Sequence, residues 1–247
     1  MNKYLSVLIA IIFTLVTVAP VTVNAKSRPD WSGYWIRVTD PDNPTSFANG
    51  ARIPSDGLPA LTPEYMEKWK VVTTSLEAGS HEHDPGVACL PPGMLQNMLI
   101  PYSAQIEMRP VQVTIITEWA GDTRRIYIDD RGHPEDFDAT RQGHSIGRWE
   151  GDVLVVDTVG ISSDTALNSQ LMPHSDQLHV IERFREYKPG FLEIRYHVED
   201  SLALAKPYEY KLIWKRSPYK YHEINEYICS NNRELEQLTG QPASGTK

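Results

Sequence analysis

Positive charge is scarce in this sequence: 24 Lys and Arg stand against 32 Asp and Glu, a formal net charge of −8. Nowhere are Lys and Arg gathered into a basic block. An acidic chain without one has no means of neutralising a phosphate backbone, which excludes nucleic acid as a partner. Cysteine is almost missing. Only Cys89 and Cys229 occur, neither in a Cys-x-x-Cys pair, so redox-motif, haem-attachment and cysteine-zinc chemistry have no footing. The glycine patterns of dinucleotide and phosphate loops are absent, and a serine nucleophile on an elbow is not expected. No tightly held cofactor is therefore expected.

What is present begins at the N-terminus. Lys3 gives a positive start, an apolar run extends from Leu5 to about Ala19, and Val23-Asn24-Ala25 has the small-residue form of a cleavage site. The run falls short of the roughly 20 residues needed to span a bilayer. Residues 1–25 are therefore expected to be a secretory signal peptide, with Lys26 opening the exported chain, periplasmic or secreted. No lipobox cysteine stands near the cleavage site, and no later stretch can anchor the chain in a membrane. In an oxidising compartment Cys89 and Cys229 are expected to form one disulfide, closing a long loop worth roughly 4 kcal/mol.

The remaining chain, 26–247, reads as one domain. Residues 26–103 are mostly loop, rich in Pro, Gly, Asp and Asn, with a short strand at 34–38. A helix is expected over about 62–72, since Thr62-Pro63-Glu64 supplies an N-cap, a proline at N1 and an acid in the first turn. From 104 to 216 strands dominate. Leu192, Ile194, Tyr196 and Val198 alternate with Glu193, Arg195, His197 and Glu199, the period of a half-buried strand. Gly121-Asp122, Gly151-Asp152 and Pro189-Gly190 supply turns. The expected fold is mainly β: an antiparallel meander closing into a lipocalin-like barrel or strongly curved sheet, with a sandwich as the next choice. Residues 217–247 form a C-terminal segment. The recurring Trp31-Ser32-Gly33, Trp119-Ala120-Gly121 and Trp149-Glu150-Gly151 read as strand-end tryptophans beside turns rather than as a carbohydrate platform.

Two resemblances follow from particular residues. The run from Gly143 through Arg148-Trp149-Glu150-Gly151-Asp152 to Val156-Asp157 is similar to a large family of exported bacterial proteins. So are Arg124–Asp129, His174-Ser175-Asp176, Leu178–Arg185 and Val198-Glu199-Asp200. Together these patches cover roughly residues 89–230. The resemblance implies export and assigns no reaction. Separately, Gly33-Tyr34-Trp35 resembles the Gly-x-Trp opening of lipocalin-type barrels, and Arg216 resembles the arginine that closes them over the tryptophan, which implies a cation–π contact.

Candidate chemistry concentrates in two places. The polar stretch 124–148 reads as a long loop over one end of a barrel, where functional residues gather. There His133 and Asp136 are a candidate base and its orienting carboxylate, and His144 is a second acid or base. The second cluster holds His174 with Asp176, and His179, Glu182, Arg183 and Arg185. On a strand, Glu182 shares its face with Leu178, Val180 and Phe184, so inside a barrel it needs a partner, for which Arg124 is the candidate. Ligand-binding candidates are Arg124, Arg125, Tyr127, Glu182, Arg183 and His197. His81-x-His83-Asp84 places three ligand types in four residues, but no spacing supplies a further partner, so no metal is expected. The leading expectation is a barrel holding a small molecule against a polar anchor. The alternative is a cofactor-free lyase, isomerase or hydrolase using His/Asp acid–base chemistry. A purely structural envelope protein is the third. Nothing in the sequence fixes an oligomeric state.

Overall fold

The computed structural model describes residues 28–39, 57–219 and 223–229. The expected signal peptide and the chain beyond Cys229 lie outside these residues. Nine strands form a closed barrel in chain order. They are β1 (Gly33–Val38), β2 (Ser103–Arg109), β3 (Gln112–Thr117), β4 (Thr123–Tyr127), β5 (His144–Glu150), β6 (Val153–Val159), β7 (His179–Lys188), β8 (Phe191–Glu199) and β9 (Tyr208–Arg216). Closure comes from β1, which pairs antiparallel with both β2 and β9. Every strand then has two neighbours, and no backbone edge is left open.

Period-2 alternation decides the interior. Leu154, Val156 and Thr158 of β6, Val180, Glu182 and Phe184 of β7, and Leu192, Ile194, Tyr196 and Val198 of β8 are all buried. Trp35 of β1 is fully buried and donates from Nε1 to the Trp31 carbonyl at 2.8 Å. The Arg216 guanidinium lies 4.4 Å from the centroid of the Trp35 ring and donates to the Ser32 carbonyl at 2.6 Å. That is the cation–π closure a lipocalin-like barrel implies. Gly33 makes room for it. Its φ is +123°, and a Cβ there would sit 3.0 Å from Arg216 Nη1.

The structure departs from the expected meander at one seam. β4 and β5 run parallel, through Ile126↔Ser145 and Tyr127↔Ile146 only. Parallel neighbours need a return crossing, and residues 128–143 provide it. The stretch 124–148 is therefore not a loop over the barrel end. It is wall at both ends and crossover between. Arg124 faces inward from β4, where a strand pattern calls for an apolar residue.

Two helices flank the barrel. α1 (Pro63–Glu77) runs past the expected end, because its first breaker is Gly79. α2 (Met94–Leu99) was not expected. All six of its residues are buried, so it shows no amphipathic period. No described helix is long and apolar enough to cross a membrane. Cys89 and Cys229 form a disulfide, with Cα atoms 5.7 Å apart. Trp31 is 5.2 Å from Trp149 and 6.3 Å from Phe184, centroid to centroid, a packing role for two of the three Trp-x-Gly motifs.

Candidate functional site

Two ionic networks occupy opposite faces of the barrel wall. The first is inside. Arg124 on β4 and Glu182 on β7 are 3% and 0% exposed. Arg124 Nη1 donates to Glu182 Oε1 at 2.8 Å and Nη2 to Oε2, a bidentate fork. Nε and Nη2 also donate to Ser145 Oγ at 3.4 and 3.2 Å, and Nη2 to Thr158 Oγ1 at 3.0 Å. Burial acts against the Arg124 charge, but the Glu182 carboxylate more than offsets it and holds its pKa above the ordinary arginine value. All three guanidinium nitrogens and both carboxylate oxygens are occupied within the protein, which is the arrangement a buried pair requires. The stacked Tyr196 and Tyr210 rings, 4.4 Å apart, lie in the same interior. Burial first, then neighbouring Glu182 for Tyr196 and Tyr208 for Tyr210, pushes both phenols well up.

Ser145 belongs to this network. Gly143-His144-Ser145-Ile146-Gly147 does carry the Gly-x-Ser-x-Gly spacing, but Ser145 stands inside a strand, 1% exposed, with its hydroxyl also 2.8 Å from Thr158 Oγ1. A nucleophile elbow needs an exposed serine on a strand-to-helix turn, and Ser145 is not one.

The second network is outside. His133, in the crossover, places Nδ1 2.8 Å from Nδ1 of His144, the first residue of β5. Its Nε2 is 3.2 Å from Asp157 Oδ1 on β6. The same oxygen is 2.9 Å from Nε2 of His179, the first residue of β7. With Asp157 ionised and His133 neutral, these contacts assign the protons. A carboxylate only accepts, so His133 carries its hydrogen on Nε2. In neutral His133, Nδ1 is then bare and accepts from His144 Nδ1–H. His144 Nε2 is left with its lone pair, and among the described residues no hydrogen bond engages it. Burial, with the nearby His133 and Arg131 adding to it, holds the His144 pKa below the ordinary histidine value. The ring is therefore neutral at pH 7.

His144 lines a cleft of about 300 Å³ at the β4–β5 seam, together with Arg125, Tyr127, Arg141 and Gln142. No carboxylate lines it, an inversion of the charge of the whole chain. Tyr127 stacks on His144 at 5.5 Å and is capped by Arg131, 4.0 Å from its centroid. Arg141 is held by the Pro91 carbonyl at 2.8 Å and by Asp164. Arg125 is exposed, with no ion pair among the described residues. The crossover is pinned by Phe137, which packs 5.7 Å from His144 and against Gly160. A Cβ at Gly160 would fall 2.3 Å from the Phe137 ring.

The other sequence candidates lie elsewhere. Asp136 is exposed and does not orient His133; Asp157 does. His174 is buried, 2.8 Å from Thr165 Oγ1 and from the Ser175 carbonyl, and does not line the cleft. Desolvation holds its pKa down. Asp176 is exposed and accepts from Gln177, so it does not serve His174; the buried carboxylate in that region is Asp200, which takes Ser175 N–H and Oγ–H at 2.7 Å each. Arg183 pairs with Glu150 on the outer surface at 2.6 Å. His197 lies between Glu199 and Glu209 on the same outer face. Among the described residues no group of three or more His, Cys, Asp or Glu has metal-binding geometry, and His83 is 3.6 Å from Glu82. Asp157 was missed by sequence reading. Its signal was its place in the outward row Val153, Val155, Asp157, Val159, a lone carboxylate in an apolar stripe. Compared with protein-family models and with curated proteins, the chain matches none.

Proposed function

We propose that this protein is exported and acts on a small anionic molecule bound at the β4–β5 cleft, with His144 Nε2 as the proton acceptor. The resemblance to exported bacterial proteins and the disulfide support export. The observation that carries the reading is the direction of the hydrogen bonds. Asp157 contacts His133, His133 contacts His144, and His144, with no hydrogen bond at Nε2 among the described residues, lines a cleft together with Arg125 and Arg141. Arg125 holds the anionic group. As Nε2 takes a proton from the substrate, positive charge appears on His144. Its Nδ1 proton then passes to His133 Nδ1, and the resulting His133 imidazolium is held by Asp157. General-base assistance of this kind contributes roughly 10²–10⁴-fold to a rate.

The test is a panel of small carboxylates and anionic esters, assayed for hydrolysis and for exchange of hydrogen beside the carboxylate. Wild type is compared with His144→Gln and Arg125→Gln. Turnover lost in His144→Gln with binding retained, and binding weakened in Arg125→Gln, is the expected pattern. Binding and turnover unaffected by either substitution would overturn the assignment.

A second reading is a binding barrel without turnover. It is favoured by the Tyr196 and Tyr210 hydroxyls, which are buried without a hydrogen-bond partner and form polar handles inside the wall. Native mass spectrometry separates the two. A discrete extra mass retained in His144→Gln and lost in Tyr196→Phe supports the binding barrel.

A further inference from the structure

We infer that the site continues outward from Asp157 along a second arm, His179, Glu199, His197 and Glu209, which supplies and removes the proton handled by His144 and His133. The inference rests on the reading of His144 as a proton acceptor. Its basis is the double use of Asp157 Oδ1, which takes His133 Nε2–H at 3.2 Å and His179 Nε2–H at 2.9 Å. The other nitrogen of His179, Nδ1, lies 3.8 Å from Glu199 Oε2. Glu199 Oε1 is 3.0 Å from His197 Nε2, and His197 Nδ1 is 3.0 Å from Glu209 Oε1. Imidazole and carboxylate alternate from the cleft to the surface, across β6, β7, β8 and β9.

The registers make this alignment. His179 pairs with Glu199, and His197 pairs with Glu209. With a side-chain period of 2, all of these residues share the outer face. The two ends differ in exposure: side chains are 21% exposed at His133, 28% at Asp157, 35% at His179, 49% at Glu199, 39% at His197 and 73% at Glu209. The inner end is sheltered and the outer end meets water. An imidazole takes a proton on one nitrogen and releases one from the other, and a carboxylate passes it on through a shared oxygen, as at Asp157, or between its two oxygens, as at Glu199. The 3.8 Å link is the only one longer than a hydrogen bond, and it joins two half-exposed side chains. His197 faces a carboxylate at both nitrogens, and these hold its proton more firmly than usual, a store at the mouth of the arm. Other charges on this face include Arg183 and Arg148, paired with Glu150, Arg195 and Arg185, paired with Glu193, and Lys206 and Lys211 near His197 and Glu209. Exposed pairs of this kind add little stability, so fold stability alone is a weak reason for the alternation.

The experiment follows the ring nitrogens of the purified, 15N-labelled protein by NMR in dilute buffer at the titration midpoint of His144. The quantity read is the proton exchange rate of that ring. His179→Ala and, as a milder change, Glu199→Gln are each expected to slow exchange by about tenfold, and added imidazole is expected to restore it by carrying the proton in place of the arm. Unchanged exchange in both variants, or slowing that imidazole does not rescue, overturns the arm. Uptake of one zinc ion per chain, lost in both His133→Gln and His179→Gln, also overturns it by making Asp157 and its histidines metal ligands. Ring exchange is measured without substrate, so the arm is judged separately from the dependence of turnover on His144.

Discussion

The barrel wall carries two charged networks built from similar parts, and their difference is instructive. Inside, Arg124 of β4 and Glu182 of β7 meet in the barrel interior, and Ser145 and Thr158 take the remaining guanidinium donors. No ring nitrogen, hydroxyl or oxygen of that group is left to a substrate by the pair itself. Outside, His144, His133, Asp157 and His179 form a chain with a bare nitrogen at the cleft end. A closed network specifies structure, whereas an open one has capacity for chemistry. The leading expectation, an arginine–glutamate anchor awaiting a ligand, assigned the function to the closed network. The structure places that pair as expected, with its guanidinium nitrogens and both carboxylate oxygens engaged within the protein.

The comparison is tested most severely by Glu182→Ala. Removing one member of the fully buried pair strands Arg124 and is expected to lower stability by about 3–5 kcal/mol. Urea unfolding measures it, and a loss below about 1 kcal/mol would show that water reaches Arg124 after all. Next is the disulfide between Cys89 and Cys229. Reduction is expected to cost roughly 4 kcal/mol in a chain-entropy account, read as a lower melting temperature in dithiothreitol. It leaves both networks in place, so His144 should titrate as before.

The buried His174 comes third. An unfolded histidine titrates near 6.5, and burial holds the folded His174 below that. Between the two values the unfolded state binds more protons than the folded one. Stability is full above pH 6.5 and falls as pH drops through the depressed folded value. His174→Gln should flatten that slope, and unfolding midpoints at a series of acidic pH values measure it. His144→Gln is expected to change stability by no more than about 0.5 kcal/mol, as a half-exposed change does, while reducing turnover by roughly 10²–10⁴-fold. A large stability loss with turnover intact would invert the contrast between inside and outside. The smallest effect belongs to His197. Its folded pKa is raised by Glu199 and Glu209, so its contribution is present below pH 6.5 and fades as pH rises through the folded value. His197→Gln should remove this faint dependence, opposite in sign to that of His174.

Local pattern made much of this legible. Alternation in β6, β7 and β8 gave the strands and their inward faces, and Glu182 among apolar neighbours pointed to Arg124 as its partner. Gly33, Trp35 and Arg216 indicated closure. β5 and α2 were not legible. β5 mixes His144, Gly147 and Arg148, which blurs its period, and α2 is buried on every side. Within the site, His133 and His144 stood out as candidates. Their orienting acid did not, because Asp136 is near His133 in sequence and Asp157 is near only across the sheet.

The sequence alone determined the strand periodicity, the net negative charge and the two cysteines available for one bridge. These are local or compositional properties, set by side-chain alternation and by counts. Only the tertiary structure decided which face each charge occupies and which histidine meets which carboxylate. Those outcomes depend on register and on the parallel β4–β5 seam, where the return crossing of residues 128–143 brings His133 back to His144. A shift of one residue in that pairing would turn every side chain of β5 to the opposite face. No local pattern in the sequence encodes it.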